Sequence, residues 1–176
     1  TPIKSSAASD VYKRQGYGVW DDSRNKLEEV FSRCMGAEDA LVRPQFMSGT
    51  HTLTVALFGL LRAGDTLLAA TGRPYDTLEG VIGIGEAGKG CGTLQEYGIH
   101  YDEVPLLPDF TPDYAAIAEH AKTATVVHIQ RSRGYTQRNA FDLDTIQKVA
   151  DTARKANPDV AVSYTHLRAH ETDQYL

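Results

Sequence analysis

The sequence predicts an α/β domain on a largely parallel sheet. Short apolar runs of strand length alternate with helix-length amphipathic stretches along the chain, the order that βα units produce. The run Thr125–Gln130 is nearly continuous in apolar, β-branched residues, as a strand covered on both faces must be. The composition, 41% hydrophobic and 23% charged over 176 residues, suits one globular domain, with no repeat or low-complexity linker to divide it.

Each element has its own signal. Leu27, Val30, Phe31, Cys34 and Met35 recur at helical spacing, a single apolar stripe opened by Asp22 as N-cap and closed by Gly36. Ala40-Leu41-Val42 reads as a short strand. A second helix follows with the stripe Leu53, Ala56, Leu57, Leu60 and Leu61, ending by Gly64. Thr66–Thr71 reads as a buried strand, a helix begins near Tyr75, and a glycine-rich loop spans Gly83 to Gly92. His100–Val104 is a strand before Pro105. Thr111 caps, and Pro112 opens, a helix with Tyr114, Ile117, Ala118 and Ala121 on one side. The strand Thr125–Gln130 leads to a last helix, Asp144–Ala156, which buries Ile146, Val149 and Ala153 and stops at Asn157-Pro158. Val160-Ala161-Val162 starts another strand.

The two ends read differently. Residues 1–15 are a polar string without periodicity, and residues 163–176 abandon the apolar alternation. Both resemble translated adapter read-through, SSAASDVYKRQ in front and VSYTHLRAHET behind, so 1–15 and 163–176 are expected to be non-native tails. A formal net charge of −5 offers no basic face to nucleic acid or to an anionic membrane. The longest apolar run, Ala56–Leu61, falls far short of the roughly 20 residues a membrane span needs. No secretory signal is visible. Cys34 and Cys91 make no disulfide framework, which points to a reducing cytoplasm.

Three places could carry chemistry. Gly83-Ile84-Gly85-Glu86-Ala87-Gly88-Lys89-Gly90 satisfies G-x-G-x-x-G, yet glycine stands where a P-loop needs Ser or Thr after the lysine. This loop is a flexible surface turn, a nucleotide-binding module or a loop that closes over a ligand. Ser48-Gly49-Thr50 opens the helix that carries Leu53 and Leu57, where unpaired N–H groups and the helix dipole favour a phosphate; equally, Ser48 simply caps that helix. Gln130-Arg131-Ser132-Arg133-Gly134-Tyr135 follows a strand, where ligands of open α/β sheets bind, so two arginines could clamp a carboxylate or phosphate or form a solvated turn. No His, Cys, Asp or Glu grouping has metal-ligand spacing, and there is no G-x-S-x-G elbow.

The runs Gly16-Tyr17-Gly18, Ala40-Leu41-Val42-Arg43-Pro44-Gln45, Ser48-Gly49-Thr50-His51, Gly72-Arg73-Pro74-Tyr75-Asp76-Thr77-Leu78 and Ile129-Gln130-Arg131-Ser132-Arg133-Gly134-Tyr135 resemble the aluminium-resistance or methionine gamma-lyase-like family of pyridoxal-phosphate enzymes. That family is related to the cystathionine lyases and has the type I aminotransferase-like fold. The resemblance implies that residues 16–162 are the N-terminal part of the cofactor-binding large domain. It implies a lyase cleaving a C–S bond in a sulfur-containing amino acid, its small-molecule substrate. By position, Ser48, Gly49 and Thr50 would cradle the cofactor phosphate and Tyr75 would stack on its ring. Tyr17 would be lent by a neighbouring subunit, implying a homodimer or homotetramer. Arg131 and Arg133 would contact substrate. The family's ring-nitrogen aspartate, on the strand that begins at Val160, and its Schiff-base lysine would both lie beyond Val162, where SYTHLRAHET takes over, and Lys26, Lys89, Lys122, Lys148 and Lys155 are not in that context. On this resemblance the chain alone is expected to be inert.

Overall fold

The structure, a computed structural model, describes residues 22–86, 90–134 and 137–165. The chain forms two compact units, residues 1–47 and 48–176. In the first, α1 (Asp22–Met35) forms as its spacing predicts and stops at Gly36, whose φ of +64° suits a residue without Cβ. No residue of α1 is buried. Ala40–Val42 does not form the expected strand. Instead the Val42 N–H donates to Glu28 Oε1 at 3.0 Å and Arg43 pairs with the same carboxylate, so a side chain takes the place of a strand partner.

The second unit is a parallel sheet flanked by helices. Its strands are β1 (Thr66–Ala69), β2 (His100–Glu103), β3 (Val126–Gln130) and β4 (Ala161–Thr165), in the order β2-β1-β3-β4. Its helices are α2 (Gly49–Leu60), α3 (Asp76–Ile82), α4 (Tyr114–His120) and α5 (Leu143–Ala156). Every residue of β3 is buried because alternate side chains feed two cores. Val126 joins Leu67, Leu57, Leu78 and Ile82 beneath α2 and α3, whereas Val127 and Ile129 join Leu68, Ile117, Ile146, Val149 and Ala153 beneath α4 and α5.

The sequence misplaces two caps: Asp22 is the first residue of α1 rather than its N-cap, and a second differs at α4. Asp113, not Thr111, caps α4, accepting from the Ala115 and Ala116 N–H groups at 3.1 and 3.0 Å; Thr111 is held by Asp109 instead. A carboxylate at that position reaches two orphan amides at once. Asp142 caps α5 in the same way, accepting from the Thr145 N–H at 2.8 Å. At the other end β4 runs on to Thr165, pairing Ser163, Tyr164 and Thr165 with His128, Ile129 and Gln130, so three residues of the expected tail lie in the sheet. Because the sheet is parallel, the carboxyl ends of β1, β2 and β3 lie together, and the segments that leave them meet at one edge.

Candidate functional site

Those segments enclose a cleft of about 660 Å³. Its floor is set by a few buried polar groups. Thr71, just past β1, accepts the Gln130 N–H at 3.0 Å. The Gln130 side chain then bridges two loops, accepting the Tyr75 N–H on Oε1 at 2.9 Å and donating from Nε2 to Ser132 O at 3.1 Å. Gly134, at φ +56°, brings the loop after β3 so near that a Cβ there would meet Gln130 Nε2 at 3.5 Å and Tyr75 Cβ at 4.0 Å.

Tyr75 immediately precedes α3, with its ring packed against the cluster beneath α2 and α3. Its hydroxyl lies 3.2 Å from Thr50 Oγ1, which lies 3.0 Å from Thr77 Oγ1. Three hydroxyls therefore gather at the start of α2. There Ser48 is the N-cap, its Oγ accepting the His51 N–H at 3.1 Å, while Thr52 N–H bonds to Ser48 O at 3.0 Å. The first-turn N–H groups of Gly49 and Thr50 have no partner among the described residues, as expected where an α-helix begins. Of the two readings of this segment, the Ser48 cap is present in the structure.

The charged groups of the cleft are mostly engaged. Arg73 grips Glu79 through two bonds of 2.5 and 3.0 Å, and this carboxylate holds the guanidinium above its usual pKa. Tyr101 donates to Glu103 Oε2 at 2.5 Å; burial first, then that carboxylate, pushes the phenol far up. Arg133 lines the cleft. Arg131 does not, and its Nε–H donates to Phe141 O at 3.0 Å. Arg138, which the sequence does not single out, lines it as well, and burial lowers its pKa. No described lysine is among the lining residues. Tyr17 lies outside the described residues. Gln130 is the group most open to discovery from sequence, as a polar residue closing an apolar strand; Arg138 has no such signal.

The glycine-rich loop has a different neighbourhood from the one a dinucleotide fingerprint needs. It follows the helix α3 rather than a strand, and among the described residues no helix opens between it and β2. The N–H groups of Gly90, Gly92 and Thr93 all donate to the Glu96 carboxylate, at 2.5, 2.8 and 3.2 Å, which holds that carboxyl below its usual pKa. Ala87, Gly88 and Lys89 lie outside the described residues.

Comparison with known proteins gives a consistent picture. Residues 4–166 match the methionine gamma-lyase family. The chain is 42% identical over 148 residues to the protein YnbB of Bacillus subtilis, covering 84% of this chain and 35% of that one. A crystal structure of a carbon-sulfur lyase involved in aluminium resistance from Clostridium novyi superposes with a TM-score of 0.79 at 42% identity, covering 85% of this chain and 36% of that one. A Listeria monocytogenes protein, provisionally named a cystathionine beta-lyase involved in aluminium resistance, gives 0.78 at 37% identity over 92% of this chain and 44% of its own. A cysteine desulfurase from Thermococcus onnurineus shares the fold at 10% identity, with a TM-score of 0.54. The chain spans between 35% and 44% of the length of the first three relatives. Among the described residues no helix is long and apolar enough to cross a membrane.

Proposed function

The chain belongs to the methionine gamma-lyase family, and on that premise we infer that it is the phosphate-binding part of a pyridoxal-phosphate-dependent carbon–sulfur lyase acting on a sulfur-containing amino acid. One observation carries the reading: Thr50, Tyr75 and Thr77 bring three hydroxyls together beside the unspent amides of Gly49 and Thr50, next to a cleft at the carboxyl edge of the sheet. The donor set fits the phosphate end of the cofactor, since neutral hydroxyls and helix N–H groups bind a dianion with no need of a counter-charge in the cradle. Gly49 and Thr50 would donate main-chain bonds, and the half-buried ring of Tyr75, fixed at its hydroxyl and its N–H, would offer a flat face for stacking. When bound, pyridoxal phosphate supplies the electron sink that a C–S elimination needs. Arg133 and Arg131 stay assigned to the substrate side, Arg133 from within the cleft. The whole enzyme would be a cytoplasmic homodimer or homotetramer, with Tyr17 reaching a neighbouring subunit's phosphate.

Fluorescence titration with pyridoxal phosphate tests the cradle. Gly49→Val should weaken binding more than Ser48→Ala, because a side-chain deletion leaves the main-chain donors in place. The Ser48→Ala change should instead lower stability by about 1 kcal/mol through the lost cap. Tyr75→Ala should weaken binding tenfold or less, in line with about 0.5–1.5 kcal/mol of stacking. Unchanged affinity in both the Gly49 and Tyr75 variants would overturn the cradle.

A further inference from the structure

Among the described residues Phe110 is the one residue other than glycine with a positive φ, +63°. A Cβ and a bulky ring make that left-handed conformation costly, and glycine or asparagine would adopt it more cheaply. The loop after β2 enforces it. Its root is fixed by the Gly72 N–H, which donates to Val104 O at 3.0 Å, and by Leu106, which packs against the core beneath α4 and α5. At its tip the Phe110 N–H donates to Leu107 O at 2.8 Å and the Leu107 N–H to Thr111 O at 2.9 Å. The Asp109 carboxylate accepts the Thr111 hydroxyl at 2.6 Å and the Thr111 N–H at 3.1 Å. This strained turn gains little burial in return: Phe110 is 52% exposed and Leu107 41%. Both side chains line the cleft instead.

Strand order gives the cleft two unlike sides. The segment after β1 lies between those after β2 and β3, so Leu106, Leu107, Pro108 and Phe110 make an apolar wall on one side, and Gln130 and Arg133 a polar one on the other. A molecule that suits both walls carries an uncharged apolar chain at one end and polar groups at the other. Backbone strain persists where the surroundings over-determine it, and ligand clamps are among the places where it collects. We propose that Phe110 is a specificity-determining residue, held out by its strained turn so that its ring meets the apolar thioether chain of the amino-acid substrate. A ring edge suits a polarizable sulfur. The ligand class rests on the function proposed above; the apolar wall rests on Phe110 and its turn.

The test uses the whole 176-residue chain and nuclear magnetic resonance of the Leu106 and Leu107 methyl groups and the Phe110 ring. The probes are L-methionine and L-alanine, which share their charged ends and differ in the chain beyond Cβ. Methionine should move all three residues' signals saturably and bind about fivefold or more tightly than alanine, as partial burial of the added chain implies. Phe110→Gly should weaken methionine about three- to tenfold and leave alanine unchanged. Its melting temperature should be the same or higher, because glycine takes φ +63° without strain. A Phe110 signal indifferent to methionine, equal affinity for methionine and alanine, or undiminished methionine binding in Phe110→Gly would each overturn the contact. So would a marked fall in the melting temperature of that variant, which would make the ring a packing group. Failure of pyridoxal phosphate to move the Gly49 and Thr50 amides would instead overturn the cofactor reading and leave the comparison of methionine with alanine to decide the role of Phe110.

Discussion

His128 sits in the middle of β3, 2% exposed, with Nδ1 3.3 Å from Ser163 Oγ and Nε2 buried without a partner. Its strand neighbours in register are Ala69 and Ser163, small enough to admit an imidazole between strands. Burial, with nothing to reward the cation, lowers its pKa to about 4. Between about 4 and the ordinary value near 6.5 the unfolded chain holds a proton that the native one refuses, so stability falls as pH drops through that window. The loss should reach about 2 kcal/mol between pH 7 and pH 4.5. Urea midpoints at the two pH values should show this fall in the parent chain and a flatter response in His128→Asn, whose amide cannot be charged. An equally steep response in the variant would assign the loss to carboxylates.

Among the elements, α3 shows how tightly a helix end is held. Gly83 closes it at φ +99°, and a Cβ there would lie 2.5 Å from Thr93 Oγ1 and 2.9 Å from Thr93 Cβ. Gly83→Ala therefore adds strain in the left-handed region to an overpacked contact, and should cost about 2–4 kcal/mol in denaturant unfolding. Adding Thr93→Ala should recover part of that loss, because the two sites touch. The sequence announces elements of this kind wherever periodicity or punctuation is local: β3 through its unbroken apolar run, α5 through Ile146, Val149 and Ala153, α1 through its stripe and Gly36. It misleads at Ala40–Val42, where a side chain 14 residues away takes the amide a strand would have used. The site divides along the same line. Ser48–Thr50 is legible as a helix start, but Tyr75 meeting Thr50 across 25 residues, and Arg138 collecting the carbonyls of a loop, are products of tertiary packing.

At the scale of the whole molecule, α1 carries an uncovered apolar stripe, with Leu27, Val30 and Phe31 42–46% exposed and Met35 69%. A contiguous apolar face of that kind favours association. Sedimentation velocity should show concentration-dependent self-association that Phe31→Lys reduces with little change in melting temperature; a monomer at all concentrations would refute it. The all-parallel sheet also sets a schedule. The partner of Thr66 in β2 is His100, and that of Leu67 in β3 is Val126, so β1 leaves the ribosome about 34 residues before its first neighbour and about 59 before its second. At about 5–20 residues per second those intervals last roughly 2–7 s and 3–12 s. Throughout that wait Leu67, Leu68 and Ala69, later among the best-hidden residues of the protein, are bare in the nascent chain, which leaves β1 open to a chaperone for those seconds.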